Sequence, residues 1–273
     1  ARVFSLYVFQ KGLKHRVKIS KKQYKSTNND TADNSMSTTL NERKKESYKI
    51  FDEIAGTYDG LNKFLSMGID VYWRNQLLKN LPCKNNIKAL DLACGTGDVP
   101  IVLAQSKYID SIVGMDLSQE MINIGQNKIR KKNLTEKVKL NHGDATSLPQ
   151  ADSSIDLVTI SFGIRNFSDS DKSLREINRV LTPGGRLLIT ELTVPQNFLI
   201  RMVYFFYFRF VLPTIGNTVS GHKDAYSYLN RTVEDYPCGK DFEKKMIKAG
   251  LINTSHTPLT FGIATLYIGE KSQ

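Results

Sequence analysis

Three acidic residues and one glycine turn have the types and the order of a nucleoside-binding site. Ala89-Leu-Asp-Leu-Ala-Cys-Gly-Thr-Gly-Asp98 reads as an apolar strand running into a Gly95-x-Gly97 turn and then a helix. Glycine permits the tight turn and lets a ligand approach main-chain N–H groups that a Cβ would block. Ile112-Val-Gly-Met-Asp116 ends a second apolar run in a carboxylate, which can accept both hydroxyls of a ribose. His142-Gly-Asp144-Ala145 supplies a polar group at a third strand end, where an adenine exocyclic amine could be held. Each feature has a plainer reading. Gly-x-Gly is a common strand-to-helix turn, and Asp116, just before Ser118, could cap a helix. Three such groups in this order are harder to explain that way. A nicotinamide fingerprint wants a third glycine where this chain has Pro100, and Asp91 is no part of that pattern. An acid in the strand and no pyrophosphate to hold suit the amino acid end of S-adenosylmethionine better.

To bring these groups together, the strands must be parallel. Short apolar runs at Ile87–Ala93, Ser111–Met115, Val138–Leu140, Ile155–Ser161 and Arg186–Leu192 alternate with helical stretches at Val99–Ser106, Gln119–Lys131 and Asp171–Leu181, the last stopped by Thr-Pro-Gly-Gly. That alternation predicts right-handed βαβ units in an α/β fold with a mostly parallel sheet, whose strand carboxyl ends hold ligands. Before it, residues 42–82 form a helical lead-in, with Tyr48, Phe51, Ile54 and Tyr58 spaced at threes and fours. After it, Phe242–Ala249 predicts a helix closed by Gly250, and Ile263–Ile268 a final strand.

The bulk properties restrict the function class. Apolar residues are 40% and charged residues 24%, which favours neither wholesale disorder nor an integral membrane protein. Of the net charge of +11, residues 1–35 carry a surplus of six, from eight Lys or Arg against Asp30 and Asp33, so the rest of the chain is only +5. A surplus off the folded elements, with no Asn/Asp-Pro-Pro-aromatic tetrapeptide, argues against nucleic acid and suits an anionic membrane surface equally well. Residues 1–41 are expected to be a disordered or non-native basic extension, and 42–273 a single domain. If residues 1–35 were instead a transit peptide, the compartment would be the mitochondrial matrix rather than the cytoplasm. Cys83, Cys94 and Cys238 are widely spaced and odd in number, so neither a disulfide framework nor a zinc site is expected, and no metal is assigned.

Two longer segments resemble a known family. Tyr58-Asp-Gly-Leu-Asn-Lys-Phe-Leu-Ser-Met-Gly-Ile-Asp-Val-Tyr-Trp73 and Arg179-Val-Leu-Thr-Pro-Gly-Gly-Arg-Leu-Leu-Ile-Thr-Glu191 are similar to the two signatures of the UbiE, MenG and COQ5 group of quinone-ring C-methyltransferases, within the class I methyltransferases. Leu61 stands where Met is usual, Asp70 where many members have His, and Thr182 replaces Lys; Ser161-Phe-Gly-Ile-Arg-Asn166 is also typical. The resemblance implies a Rossmann-like fold with a seven-stranded sheet, helices on both faces, and S-adenosylmethionine as cofactor. It also implies that Thr96, Asp116, Asp144, Ala145 and Ser161 line the cofactor pocket, beside the Asp91, Gly95 and Gly97 of the turn. The Pro183-Gly-Gly185 turn is given no chemistry.

The implied acceptor is a polyprenyl quinol, with demethylmenaquinol preferred over the benzoquinol of ubiquinone synthesis because Gly68-Ile-Asp70 with Trp73-Arg74 looks more like members that serve menaquinone. Arginine is a poor base, so Arg165 is cast as stabilising a phenolate or orienting a water, Asn166 as holding the quinol oxygen, and Tyr58 as a third catalytic candidate from the lead-in. Tyr58 reads equally as a core aromatic, Asp59 and Asp70 as caps, and His222 as a surface residue. Within residues 195–237, Phe198–Leu212 holds seven aromatics in fifteen residues and is too short to span a membrane. A buried helix is the usual explanation for such a run. Its place between a strand and the last helix-strand pair favours a substrate cover that dips toward lipid at a membrane periphery, with Arg201 and Arg209 able to reach head groups. A homo-oligomer or a quinone-synthesis complex is left open. The rival readings are another small hydrophobic acceptor, a non-catalytic S-adenosylmethionine-binding subunit of such a complex, and a nicotinamide reductase.

Overall fold

The computed structural model describes residues 47–211 and 232–273; the basic extension, His222 and the stretch of the substrate-cover segment from 212 to 231 lie outside them. The lead-in forms α1 (Ser47–Leu65) and α2 (Ile69–Lys79). Then come β1 (Ile87–Leu92), α3 (Asp98–Leu103), β2 (Ile109–Asp116), α4 (Gln119–Lys131), β3 (Val138–His142), β4 (Ile155–Ser161), α5 (Ser170–Val180) and β5 (Leu181–Leu192). The chain continues through α6 (Phe198–Phe206), which runs into a π-helical turn at Tyr207–Val211, then α7 (Lys240–Lys248), β6 (Leu251–Leu259) and β7 (Ala264–Lys271).

The seven strands form one sheet in the order β3-β2-β1-β4-β5-β7-β6. All pairings from β3 to β5 are parallel, and β7 is antiparallel to both its neighbours. This is the α/β, mostly parallel, Rossmann-like architecture expected. The sheet is buried on both faces because successive side chains alternate sides. Ala89, Leu157, Leu188 and Leu266 join a core with Trp73, Leu77, Leu103 and Ile122 from α2, α3 and α4. Leu90, Val158, Leu187 and Tyr267 face the other way, onto Leu174 and Ile177 of α5 and Phe242 and Met246 of α7.

The helix starts follow local chemistry. Ser118 caps α4 by accepting the N–H of Met121, and Asp169 caps α5 by accepting that of Lys172 at 2.8 Å. Pro183-Gly-Gly185 lies between Leu181, paired with Ile155, and Arg186, paired with Leu157, so it is an irregularity inside β5 rather than a loop before it. β6 has no counterpart among the strands read from the sequence. Its Leu-Ile-Asn-Thr-Ser-His-Thr-Pro-Leu sequence is mostly polar because it is the edge strand, with only its terminal leucines buried.

Strand order reverses between β1 and β4, and the chain leaves these two strands in opposite directions. That opens a crevice at their carboxyl ends.

Candidate functional site

The crevice holds a cavity whose walls come from four consecutive strand ends. Leu92 ends β1 and Ala93 and Gly95 follow it, Met115 and Asp116 end β2, Gly143 and Asp144 follow β3, and Ser161 ends β4 with Phe162 and Gly163 after it. At Gly97, φ is +80°, a conformation that a side chain makes costly, and a Cβ there would also stand 3.0 Å from Leu140. Across the crevice, Ala93 (φ 52°) and Phe162 (φ 59°) hold left-handed backbones without being glycine. Such conformations cost about 1–3 kcal/mol each and persist where the surroundings over-determine them. The surroundings here are tight: a Cβ on Gly163 would lie 2.5 Å from the Ala93 methyl.

The carboxylates are held in different ways. Asp116 accepts the N–H of Gly95 and that of Ser118, each at 2.8 Å, so it ties the glycine turn to the start of α4. Ser118 itself supplies the α4 cap, which removes the helix-cap reading of Asp116. Burial pushes the Asp116 pKa up, against the pull of the backbone N–H bonds. Asp91 is buried beneath the turn, where Thr159 donates to it at 2.5 Å. Burial, with a contribution from nearby Asp116, pushes its pKa up to about 8 despite that hydrogen bond. Asp144 accepts the N–H of Thr146 at 2.8 Å, and Ser161 shares a hydrogen bond with Thr190 at 2.7 Å.

The lead-in closes the opening. Tyr48, Phe51 and Tyr58 of α1 line the same cavity. Asp59 accepts from Thr96 at 2.5 Å and pairs with Lys128 at 2.8 Å, while Lys128 also pairs with Asp98. α1 is thereby tied to the glycine turn, α3 and α4. Asp59 is therefore an interhelical tether rather than a cap. Asp70 is buried and held by Ser66 at 2.7 Å and by Arg74, a structural role. The Tyr58 phenol is kept protonated by burial, with the Asn62 hydrogen bond and the Arg165 charge pulling the other way.

Arg165 lies just behind the wall formed by Phe162, Gly163 and Asn166. It is buried, pairs with buried Glu191, and donates to the Phe162 carbonyl at 2.7 Å. Trp73, the aromatic of the lead-in motif, packs 5.4 Å from the Phe162 ring and donates to Thr260 at 2.8 Å, so it supports the strained Phe162 from outside.

Of the residues singled out from the sequence, Gly95, Asp116, Asp144, Ala145, Ser161, Tyr58 and Asn166 meet around the cavity. Thr96 does not turn its hydroxyl to it. That group is buried between Asp59 and Lys128, because Gly95 and Gly97 leave its side chain on the α1 side of the turn. Asp91, Gly97 and Arg165 support the walls from behind. Sequence reasoning missed Lys128 and Phe162 as individual residues, and gave Glu191 no role. A lysine in an amphipathic helix carries no signal, whereas Glu191, an acid ending an apolar strand, resembles Asp91 and could have been questioned on the same ground.

The geometry suits S-adenosyl-L-methionine: a glycine turn for its amino acid end, a strand-end carboxylate for its ribose, and Met115, Leu117 and Met121 as an apolar bed for adenine. Comparison with known proteins agrees. The chain is 40% identical over 223 residues to demethylmenaquinone methyltransferase of Bacteroides fragilis, covering 82% of this chain and 91% of that one. It is 41% identical over 233 residues to the ubiquinone/menaquinone biosynthesis C-methyltransferase UbiE of Geotalea daltonii, covering 85% and 99%. Among solved structures, a SAM-dependent methyltransferase of Thermotoga maritima matches with a TM-score of 0.58 at 17% identity over 82% of this chain and all of that one, a likeness of fold. The model of the ubiE/COQ5 methyltransferase family matches residues 37–271, and the chain belongs to that family.

Proposed function

We propose that this enzyme transfers the methyl group of S-adenosyl-L-methionine to a ring carbon of demethylmenaquinol, giving menaquinol. The observation that carries the reading is a buried cation, Arg165, directly behind the Phe162–Asn166 wall of the cofactor cavity and paired with buried Glu191. The cofactor supplies an electrophilic methyl on a sulfonium. Arg165, with Asn166, favours the quinol oxygen as a phenolate, which raises electron density at the adjacent ring carbon. That carbon forms the new C–C bond as the methyl leaves sulfur, and loss of its proton restores the aromatic ring. Holding the two reactants in line supplies several kcal/mol of the barrier reduction. Tyr58, from α1, borders the same space.

Residues 42–273 form one methyltransferase domain in this reading, with 195–237 as the substrate cover. On α6 and its π-helical turn, Tyr204 and Phe208 pack inward, while Phe198, Leu199, Met202, Val203, Phe206 and Phe210 are exposed. No helix among the described residues is long and apolar enough to cross a membrane. An exposed apolar face of this kind, flanked by Arg201, suits shallow insertion into a bilayer, where a polyprenyl tail resides. Relatives named for both ubiquinone and menaquinone synthesis favour a second acceptor, 2-polyprenyl-6-methoxy-1,4-benzoquinol. Labelled methyl incorporation into each reduced quinol tests both: transfer to demethylmenaquinol is expected, and cofactor binding without transfer to either sinks the reading.

A further inference from the structure

The lead-in helix α1 carries two stripes of side chains along its length. Tyr48, Phe51 and Tyr58 line the cofactor cavity. Next to the last two stand Asp52 and Asp59, two turns apart and so on one face of the helix, about 10 Å from each other along its axis. These two acids grip the two turns from which the cavity is built. Asp52 accepts the hydroxyl of Ser118, and the N–H of Glu120 at 3.4 Å, at the start of α4. Asp59 accepts the hydroxyl of Thr96, between the glycines of the turn, and pairs with Lys128 at 2.8 Å. Lys128 in turn donates to Thr96 at 3.0 Å and pairs with Asp98. The gripped residues are chain neighbours of the groups that face the cofactor: Thr96 follows Gly95, and Asp116 accepts the N–H of both Gly95 and Ser118.

α1 and α2 are attached to the fold in different ways. Trp73 and Leu77 of α2 join the core on one face of the sheet. Ile54 and Ala55 of α1 are buried, yet among the described side chains α1 gives none to either cluster that flanks the sheet. Its ties to the glycine turn and to the start of α4 are polar. Asp59 is 41% exposed and Lys128 23%, so their ion pair is open to screening by salt. α1 meets α2 at Met67 and Gly68, two successive residues with φ of 50° and 78°. Both lie in the left-handed region, which makes a sharp corner between the helices. A helix joined through such a corner to a core-bound partner, and held elsewhere by polar contacts, is built to move as a unit.

We propose that α1 is a lid over the cofactor, hinged at Met67 and Gly68, and that Asp52 and Asp59 are positioning residues that latch it shut on Ser118, Thr96 and Lys128. Neither acid lines the cavity, so each acts through the residues it grips. With the lid shut, Tyr48, Phe51 and Tyr58 cover the crevice, and exchange of S-adenosylhomocysteine for S-adenosyl-L-methionine requires it to open. The proposal rests on the cofactor occupying this cavity and is independent of which acceptor is methylated.

The test follows uptake and release of radiolabelled S-adenosylhomocysteine by the full chain, using rapid filtration. This ligand has no net charge, so salt acts on the latch rather than on long-range steering. A latch gates both directions: weakening it raises the open fraction, and the rates of association and dissociation rise together while Kd hardly moves. Asp59→Asn, which keeps the side-chain volume and one acceptor, is expected to raise both rates about three- to tenfold and Kd less than about twofold. Asp52→Asn is expected to act in the same direction. In the parent, going from about 0.05 M to about 0.5 M NaCl should raise both rates several-fold, and in Asp59→Asn it should have little effect. A role confined to shaping the cradle gives a different split: faster release, unchanged uptake and a Kd that rises with the release rate. That split in Asp59→Asn overturns the lid, as do salt-independent rates in the parent, a measurement that needs no variant. A parent with salt-dependent exchange that methylates neither quinol keeps the lid and loses the acceptor reading; a parent that methylates demethylmenaquinol with salt-independent exchange does the reverse.

Discussion

Cofactor binding should expel a proton from Asp91. In the ligand-free protein, burial holds this carboxyl at a pKa of about 8, so at pH 7 it is about 90% protonated. A sulfonium bound above the glycine turn places a unit cation near it. At a separation of about 6 Å and an effective dielectric of about 20, the attraction is ~3 kcal/mol, which lowers the pKa by about two units. Asp91 would then be about 10% protonated, so roughly 0.8 proton is released per cofactor bound. Titration calorimetry in two buffers of different ionisation enthalpy reads that number from the difference in apparent heat. S-adenosylhomocysteine, which lacks the sulfonium charge, should release less, and Asp91→Asn should release none. The same raised pKa sets the sign for stability without ligand. The contribution is full below the ordinary carboxylate range and is lost as pH rises through about 8, with a slope of up to ~1.4 kcal/mol per pH unit. Buffer-independent heats with S-adenosylmethionine at pH 7 would refute the assignment of a neutral Asp91 beneath the cofactor.

Other perturbations probe other parts of the site. Asp116→Asn can keep only one of the bonds to Gly95 and Ser118, because its amide nitrogen donates where the second carboxylate oxygen accepted, and it also removes the charge offered to the ribose, so S-adenosylmethionine affinity should drop about 10–100-fold by calorimetry. In Gly125→Ala, the new methyl would meet Leu140 at 2.5 Å and the Thr96 backbone at 3.1 Å, forcing α4 off the turn. Its midpoint in urea should fall by the equivalent of about 1–3 kcal/mol. Phe206→Glu changes a 61% exposed residue, so folding should be unaffected while sedimentation with phosphatidylglycerol vesicles falls several-fold; undiminished sedimentation would move the membrane contact elsewhere.

The parallel half of the sheet was legible because β1 and β4, buried on both faces over most of their length, leave mostly apolar runs, and because Ser118 marks a helix start by type. β6 was not legible, since an edge strand satisfies solvent on one side and loses the apolar signal. At the site, strand-end acids could be read because a carboxylate closing an apolar run is locally anomalous. The partners that decide their chemistry could not. Thr159 beside Asp91, Glu191 beside Arg165, and Lys128 beside Asp59 are neighbours only across strands or helices. Thr96 illustrates the cost of reading a turn without its surroundings, since the side of the turn its hydroxyl takes depends on α1, far away in sequence.

The enzyme transfers methyl to a quinol ring carbon in the proposed function. That transfer is tested most directly by giving the full chain S-adenosylmethionine labelled in the methyl group together with reduced demethylmenaquinol, and locating the label by mass spectrometry. Label on the ring of menaquinol, with loss of that product in Arg165→Ala, is the predicted result. Label on oxygen, or no label on either demethylmenaquinol or the benzoquinol while the cofactor still binds, contradicts it.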